Sequence, residues 1–282
     1  MRLGGPVHGT HDSPGSWVAE LRALGYRAAY CPLDPTADAA AVGEYRAAAA
    51  AADIAIAEVG AWGNPLSRDD GTARRATERC VQCLDLAERI GARCCVNIAG
   101  SVGGGKDYDG WDAPADNNLS EETFGRIVES VRGIIDQVRP RHTFYTLETM
   151  PYMYPDSPES YLRLLKAIDR PAFGVHFDPV NLINSPARYY DNAAFLRECL
   201  RLLGPDIKSA HAKDIVLAPR LTVHLEEIRP GQGHLDYGVL LTGLEAVSSD
   251  LPLMLEHLPD QEQCRQAAAH IRSVAAAEGV TL

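Results

Sequence analysis

Short apolar segments alternate with longer segments of helical periodicity along the whole chain. Eight such apolar segments are found, at residues 3–8, 28–33, 54–59, 94–99, 143–147, 172–177, 207–210 and 252–255. Strands that alternate with helices in this way form parallel sheets with helical crossovers. Eight strand–helix units therefore predict an α/β fold, a single (β/α)8 TIM barrel. An open doubly wound sheet is the alternative, but the first strand–helix loop lacks its GxGxxG signature.

The chain is predicted to form one domain over residues 1–282. Its length suits a barrel of roughly 250 residues, and no linker, repeat or shift in composition divides it. Helix signals support the alternation, with a candidate cap at Ser13, Gly25 after the first helix, Gly91 after the third and a candidate capping box at Ser120. The segment 215–237, which follows the seventh apolar segment, is long and lies outside this alternation.

Four successive apolar segments end in a side chain that can ligate a metal. The fifth ends with Glu148, the sixth with Asp178, the seventh with His211 and the eighth with Glu256. Active sites of TIM barrels lie at the C-terminal ends of the strands, where these side chains would meet. A charge in such a position is costly unless it is paired or ligates a metal. One shared divalent cation explains the four residues better than a network of ion pairs, which is the alternative.

The ligand types restrict the identity of the metal ion but do not determine it. Three carboxylates and one imidazole form an oxygen-rich set, which suits Mn²⁺, Mg²⁺ or Co²⁺. Zn²⁺ also accepts histidine and carboxylate ligands. The residues alone leave all four ions open.

The composition restricts the possible binding partners and the cellular compartment of the protein. The formal net charge is −11 and the pI is about 5.3, which would repel nucleic acid at long range. No apolar stretch approaches the ~18 residues of a membrane-spanning helix, and the N-terminus lacks the apolar region of a signal peptide. The seven cysteines are odd in number, and their single CxxC has no second pair. We expect free thiols and a cytoplasmic protein with no membrane partner.

Five segments carry a resemblance to a known family: ETMPYMYPDSPESYLRLLKAI, GVHFDPVNLINSP, HAKD, RPGQGHLDY and LMLEH. They resemble the xylose-isomerase-like TIM-barrel superfamily and, more narrowly, its sugar phosphate isomerase/epimerase branch with the ketose 3-epimerases. In those enzymes Glu, Asp, His and Glu on consecutive strands bind one Mn²⁺, Mg²⁺ or Co²⁺. The resemblance implies this role for Glu148, Asp178, His211 and Glu256, with Mn²⁺ favoured.

The same resemblance implies that Glu148 and Glu256 transfer protons. The metal would polarise a substrate carbonyl and so acidify the neighbouring C–H bond. One glutamate would remove that proton and the other would return one from the opposite face of an enediolate-like intermediate.

Two positions depart from the ketose 3-epimerases and leave the substrate open. Asn181 stands where those enzymes have a substrate-binding histidine, three residues after the aspartate. Their arginine soon after the metal histidine is replaced here by an insertion, so the nearest candidate is Arg229. Further candidates for substrate contact, chosen from strand ends and mouth loops, are His176, Lys213, Trp62, Tyr152, Asn97 and His257.

The sequence thus predicts a metal-dependent isomerase or epimerase of a sugar or keto-sugar, with a small carbohydrate as partner. A lyase acting on a 3-keto-glycoside, or a polyol dehydratase, is the alternative, because both begin with the same proton abstraction. The acidic net charge disfavours an abasic-site endonuclease, which is also a superfamily member. A non-catalytic binding barrel and a homo-oligomeric state are both left open.

Overall fold

A closed barrel of eight parallel strands confirms the predicted fold class. The computed structural model describes residues 1–9, 11–103 and 110–282. The barrel strands are β1 (Arg2–Gly4), β2 (Ala28–Tyr30), β3 (Ala55–Gly60), β4 (Cys94–Asn97), β5 (Phe144–Glu148), β6 (Phe173–Phe177), β7 (Ile207–Ala212) and, after two strands outside the barrel, β10 (Pro252–Leu255). Their order around the barrel is β1, β10, β7, β6, β5, β4, β3, β2. The strands β5, β6, β7 and β10 are therefore neighbours.

Helices connect successive barrel strands, as in other parallel α/β folds. The long helices are α1 (Pro14–Ala23), α2 (Ala39–Ala51), α3 (Asp70–Ile90), α4 (Glu121–Val138), α5 (Pro158–Ile168), α8 (Asn192–Leu203), α9 (Tyr237–Val247) and α10 (Gln261–Glu278). Two short helices, α6 (Pro179–Leu182) and α7 (Pro186–Tyr190), lie between β6 and α8, and a 3-10 turn (Gly204–Asp206) precedes β7. None of the helices in the described part of the chain has the length and apolar character needed to cross a membrane.

The predicted helix signals lie where the helices begin and end. The Ser13 side chain accepts a hydrogen bond from the Ser16 backbone N–H at the start of α1, and Ser120 accepts one from Thr123 at the start of α4. Gly91 ends α3 with φ +77°, a left-handed conformation that suits glycine. These caps satisfy backbone groups that the helix itself leaves unpaired.

The first two strands end at least three residues earlier than the apolar pattern predicted. The first segment was expected at 3–8, but β1 ends at Gly4, and the second was expected at 28–33, but β2 ends at Tyr30. Pro6 and Pro32 follow these ends, and proline has no N–H to donate to a neighbouring strand. The pairing therefore stops before each proline.

A hairpin lies in the long segment around 215–237, whose structure was not predicted from the sequence. Strands β8 (Asp214–Leu217) and β9 (Leu225–Ile228) pair in antiparallel fashion outside the barrel. Asp214 holds the loop after this hairpin: its carboxylate oxygens accept hydrogen bonds from the backbone N–H groups of Ile215, Gly231, Gly233 and Leu235, each at 2.9 Å. One buried carboxylate thus fixes the path of the chain beside the barrel mouth.

All seven cysteines are free, as predicted. Cys80 and Cys83, which form the CxxC, are buried on α3. Burial raises the pKa of each of these two thiols to about 11. Both are therefore protonated at neutral pH, which suits packing rather than reactivity.

Candidate functional site

Four side chains from four neighbouring strands converge at the C-terminal end of the barrel. Glu148 is the last residue of β5, Asp178 follows β6, His211 lies near the end of β7, and Glu256 follows β10. One potential ligand atom of each residue lies within 4.8 Å of those of the other three. The structure therefore brings together the whole set of metal ligands predicted from the sequence.

The Nδ1 atom of His211 lies at the centre of this cluster. It is 3.0 Å from Glu256 Oε2, 3.3 Å from Glu148 Oε1 and 3.7 Å from Asp178 Oδ2. The His211 ring is completely buried. A single imidazole nitrogen thus faces three carboxylates.

The start of α6 orients Asp178. Its Oδ1 caps this short helix by accepting hydrogen bonds from the backbone N–H groups of Val180, at 2.9 Å, and Asn181, at 3.2 Å. Its Oδ2 is left to face the cluster. Local helix capping therefore aims one carboxylate oxygen at the site.

A buried lysine enters the same cluster. Lys213 Nζ lies 2.6 Å from Glu256 Oε2, 2.8 Å from Asp178 Oδ2 and 3.6 Å from Glu148 Oε1. Lys213 and His211 are two residues apart, so their side chains leave the chain on the same side. The ammonium thus contacts oxygens that a metal would also use.

The carboxyl groups of the cluster differ in their acidity. Burial raises the pKa of Glu148 to about 7, although His211 and Lys213 act in the opposite direction. Burial would also raise the pKa of Asp178 and Glu256, but nearby positive charge outweighs it and holds both below their ordinary values. The charge comes mainly from Lys213 at Asp178 and from His211 at Glu256. The cluster therefore stabilises two of its three carboxylates in charged form.

The donor set fits a divalent cation. Three carboxylates face a single ammonium, and unbalanced buried charge is costly. Three oxygens and one imidazole nitrogen within 4.8 Å are ligand types that Mn²⁺, Mg²⁺ and Co²⁺ accept. Glu148, Asp178, His211 and Glu256 are the residues that could hold it.

A second polar group lies on the other side of His211. Glu58 on β3 is buried, and its Oε2 is 3.4 Å from His211 Nε2. Its Oε1 accepts a hydrogen bond from Ser209 and lies 3.7 Å from His176 Nδ1. Glu58 was not among the residues predicted from the sequence, although one signal was present: it is the single charged residue of the apolar segment 54–59.

A cavity of about 550 Å³ opens above the cluster. Five of the predicted substrate or catalytic residues besides Glu148 and Glu256 line it: Trp62, Tyr152, Asn181, Lys213 and His257. The other lining residues are Ile98, Trp111, Asp112, Met150, Pro151 and Glu227. A pocket of this size with aromatic walls and a few polar groups suits a small ligand.

Two of the lining residues contact the cluster and its surroundings. Asn181 Nδ2 donates a hydrogen bond to Glu148 Oε1 over 3.1 Å. His257 Nδ1 lies 3.1 Å from Glu227 on β9, and Glu227 Oε2 is 3.5 Å from Lys213 Nζ. Glu227 was not among the predicted residues, because the hairpin that carries it was not predicted from the sequence.

Three predicted substrate residues lie outside the cavity lining. Asn97 points toward α3, where its Nδ2 donates to Cys80 Sγ and its Oδ1 accepts from the Gly63 N–H. Side chains alternate along a strand, so the next residue, Ile98, lines the cavity instead. Arg229 follows β9 in the loop held by Asp214.

His176 is the third, and it lies beneath the ligands. It is completely buried, and its ring centroid is 4.1 Å from that of His211. Burial lowers its pKa to about 4, so the ring is neutral near neutral pH. A ring in this position packs against His211 rather than against a molecule in the cavity.

Comparison with known proteins identifies the class of barrel. A family model described as xylose isomerase-like TIM barrel matches residues 18–274. The chain belongs to this family. A search among functionally curated proteins found no match.

Solved structures share the fold at low sequence identity. A xylose isomerase-like TIM barrel protein from Mycobacterium smegmatis, in complex with magnesium, has a TM-score of 0.67 and 17% identity over 98% of this chain and 97% of that chain. D-psicose 3-epimerase from Clostridium cellulolyticum, solved with D-tagatose, has a TM-score of 0.69 and 14% identity over 99% of each chain. Endonuclease IV from Thermus thermophilus has a TM-score of 0.73 and 14% identity over 98% of this chain and 100% of that chain. At such identities the likeness shows the fold alone.

Proposed function

We propose that this chain is a divalent-metal-dependent isomerase or epimerase of a sugar or keto-sugar. Glu148, Asp178, His211 and Glu256 bind the metal, most favourably Mn²⁺, and residues 1–282 act as one domain. The observation that carries the proposal is the convergence of these four ligands, within 4.8 Å, on a cavity of about 550 Å³. The magnesium complex and the epimerase among the structural neighbours agree with it.

The two glutamates are the proposed acid–base pair. Both line the cavity, and both approach the same nitrogen of His211. When bound, the metal polarises a substrate carbonyl and makes the adjacent C–H bond more acidic. One glutamate takes that proton, and the other gives a proton to the opposite face of the enediolate-like intermediate.

The remaining cavity residues suit a neutral polyhydroxylated substrate. Trp62 and Trp111 lie with ring centroids 6.0 Å apart and present aromatic surface to the cavity. Asn181, Lys213 and His257 supply hydrogen-bonding groups. We propose that the aromatic rings pack on the sugar and that the polar groups bind its oxygens.

The first experiment measures metal content and reaction together. Protein purified without chelator is analysed for metal, and a panel of ketoses and keto-sugars is incubated with it in D₂O and followed by NMR. Deuterium incorporation at a carbon next to the carbonyl, without loss of a fragment, supports the isomerase or epimerase. Release of an aglycone or of water establishes the lyase or dehydratase instead, and absence of both metal and exchange refutes the proposal.

Replacing either glutamate tests the proposed proton transfers. We expect Glu148→Gln and Glu256→Gln each to lower kcat by about 10²–10⁴-fold, since an amide cannot exchange the proton. Glu159→Gln changes an exposed residue in the first turn of α5, so it is the matched control and should retain wild-type activity. Equal activity of all three variants contradicts the assignment.

A further inference from the structure

Glu58 reaches the candidate metal centre from the far side of the barrel. In the ring of eight strands, β3 lies four positions from β7 and thus directly opposite it. Glu58 nevertheless approaches His211 to 3.4 Å through the barrel interior. Its side chain is about 1% exposed, and a carboxylate so placed is costly to bury unless it serves a partner.

The two nitrogens of His211 face different carboxylates. Nδ1 faces Glu148, Asp178 and Glu256. Among the described residues, Glu58 provides the one carboxylate within 4 Å of Nε2. A neutral imidazole can offer a lone pair at only one nitrogen and carries its proton on the other. For Nδ1 to bind a cation, the proton must therefore stay on Nε2, next to Glu58.

We propose that Glu58 is a positioning residue for His211. Its carboxylate accepts a hydrogen bond from the Nε2–H group, and this fixes the tautomer that presents the Nδ1 lone pair to the metal. It also fixes the orientation of the ring. The inference rests on the proposed metal-dependent function, and it adds a residue that does not itself touch metal or substrate.

Ser209 and His176 hold Glu58 in place. Ser209 Oγ donates a hydrogen bond to Glu58 Oε1, which leaves Oε2 for His211. His176 pairs with Ser209 in the β6–β7 register, and its ring lies at 76° to that of His211. The carboxylate is thereby oriented by β7 and the imidazole is confined by β6.

A second cation between Glu58, His176 and His211 is the competing interpretation. Ligand atoms of these three residues also lie within 4.8 Å of one another, and both ring nitrogens of His176 are buried without a hydrogen bond. However, His211 would then have to give up both ring protons to serve two cations. The hydrogen bond from Ser209 also already occupies one oxygen of Glu58. We therefore favour a proton, not a metal, between Glu58 and His211.

Metal affinity provides the first readout. Isothermal titration with Mn²⁺ should give one equivalent bound by the wild type and about 10–100-fold weaker binding by Glu58→Gln, the usual effect of removing such a partner. A glutamine amide can turn its NH₂ toward Nε2 and so favour the wrong tautomer. Glu159→Gln makes the same carboxylate-to-amide change at an exposed position on α5, so it is the matched control and should bind Mn²⁺ as tightly as the wild type.

The tautomer provides a second readout that a purely structural role would not move. Long-range ¹H–¹⁵N spectra of the Mg²⁺-loaded wild type, with signals assigned by comparison with His211→Gln, should show the His211 proton on Nε2. Glu58→Asp keeps the charge at a shorter reach, so we expect an affinity between those of wild type and Glu58→Gln. This variant keeps the test valid even if Glu58→Gln does not fold.

The outcomes separate this inference from the proposed function. If the wild type binds no metal, both fail. If it binds one equivalent but Glu58→Gln and Glu58→Asp bind it equally well, or the His211 proton lies on Nδ1, only the role of Glu58 fails. If the wild type binds two equivalents of Mn²⁺ and His176→Phe binds only one, a second cation rather than a proton lies between Glu58 and His211.

Discussion

A single buried lysine compensates the carboxylates of the candidate metal centre. Lys213 is about 1% exposed and lies within 3 Å of both Asp178 and Glu256. The carboxylates hold the pKa of Lys213 well above its ordinary value against the effect of burial. Because Glu148, Asp178 and Glu256 outnumber this ammonium, lysine and a divalent cation can contribute to the same charge balance.

Replacing Lys213 should destabilise the protein and make it depend more strongly on metal. We expect Lys213→Met to lower the free energy of unfolding of metal-free protein by about 3–5 kcal/mol, since two buried carboxylates lose their counter-charge. Added Mn²⁺ should raise the melting temperature of the variant more than that of the wild type. Calorimetry with and without the metal measures both effects.

Lys208→Met is the control for this prediction. Lys208 lies on the same strand, β7, but its Nζ packs 4.5 Å above the Phe144 ring, away from the ligands. It should melt near the wild-type temperature, with the same response to Mn²⁺. A wild-type melting temperature for Lys213→Met would mean that Lys213 does not compensate the buried charge of Asp178 and Glu256.

The four candidate metal ligands were predictable from the sequence, whereas the role of Glu58 and the orientation of Asn97 were not. Glu148 and Asp178 interrupt apolar segments at the one place where a barrel collects functional side chains. Glu58 lies inside its strand, and only the closed barrel shows that it faces His211 across the interior. Asn97 was predicted to line the cavity, but its side chain points toward α3. Which side of β4 it lies on depends on the strand register, which a single sequence does not define.

At the level of elements, adjacent residues of the HAKD segment contact two different parts of the structure, the carboxylate cluster and the loop after β9. Lys213 turns into the ligand cluster, and Asp214, the next residue, binds the backbone of the loop after β9. Gly233 belongs to this arrangement, because a Cβ there would overlap Asp214 Oδ1. The hairpin that carries Glu227 to the cavity is thus anchored immediately beside the candidate metal centre.

Changing Asp214 should loosen this loop. In Asp214→Asn, one acceptor oxygen becomes an NH₂ donor that faces backbone N–H groups, and leaving such buried groups unsatisfied costs ~1–3 kcal/mol each. We expect stability to fall by about 2–5 kcal/mol, with faster hydrogen exchange concentrated in residues 229–235. Denaturant titration and exchange mass spectrometry measure these effects.

Asp236→Asn is a suitable comparison for the Asp214 variant. Asp236 caps α9 through a hydrogen bond from the Val239 N–H, so its replacement should cost at most ~1 kcal/mol. If Asp214→Asn is no less stable than Asp236→Asn, the four backbone contacts of Asp214 do not hold the loop.

The regular elements followed from periodicity, but the hairpin did not. Barrel strands are buried and long helices are amphipathic, so both leave a strong pattern of apolar positions. Strand β9 has the sequence LEEI, with both glutamates exposed, and it shows neither pattern clearly. Its structure depends on pairing with β8 and on Asp214, which are tertiary contacts rather than local preferences.

At the scale of the whole molecule, charge distinguishes this chain from a DNA-processing barrel. Endonuclease IV shares the fold, but here 38 acidic residues outweigh 27 lysines and arginines. The cavity adds to this negative charge, because Asp112, Glu148, Glu227 and Glu256 all line it. A phosphate backbone approaching the cavity would therefore meet like charge both at long range and in contact.

We accordingly expect no binding or incision of DNA that contains an abasic site. Proteins that bind DNA non-specifically do so with Kd values of roughly 10⁻⁴–10⁻⁶ M at physiological salt, and lower salt strengthens the interaction. Fluorescence anisotropy of a labelled duplex carrying an abasic-site analogue should stay unchanged at ~10⁻⁵ M protein in about 50 mM salt. Endonuclease IV serves as the positive control. Two results would contradict this expectation: metal-dependent incision, or DNA binding whose log affinity falls linearly with log salt concentration. Either would mean that a local basic surface outweighs the net charge of −11.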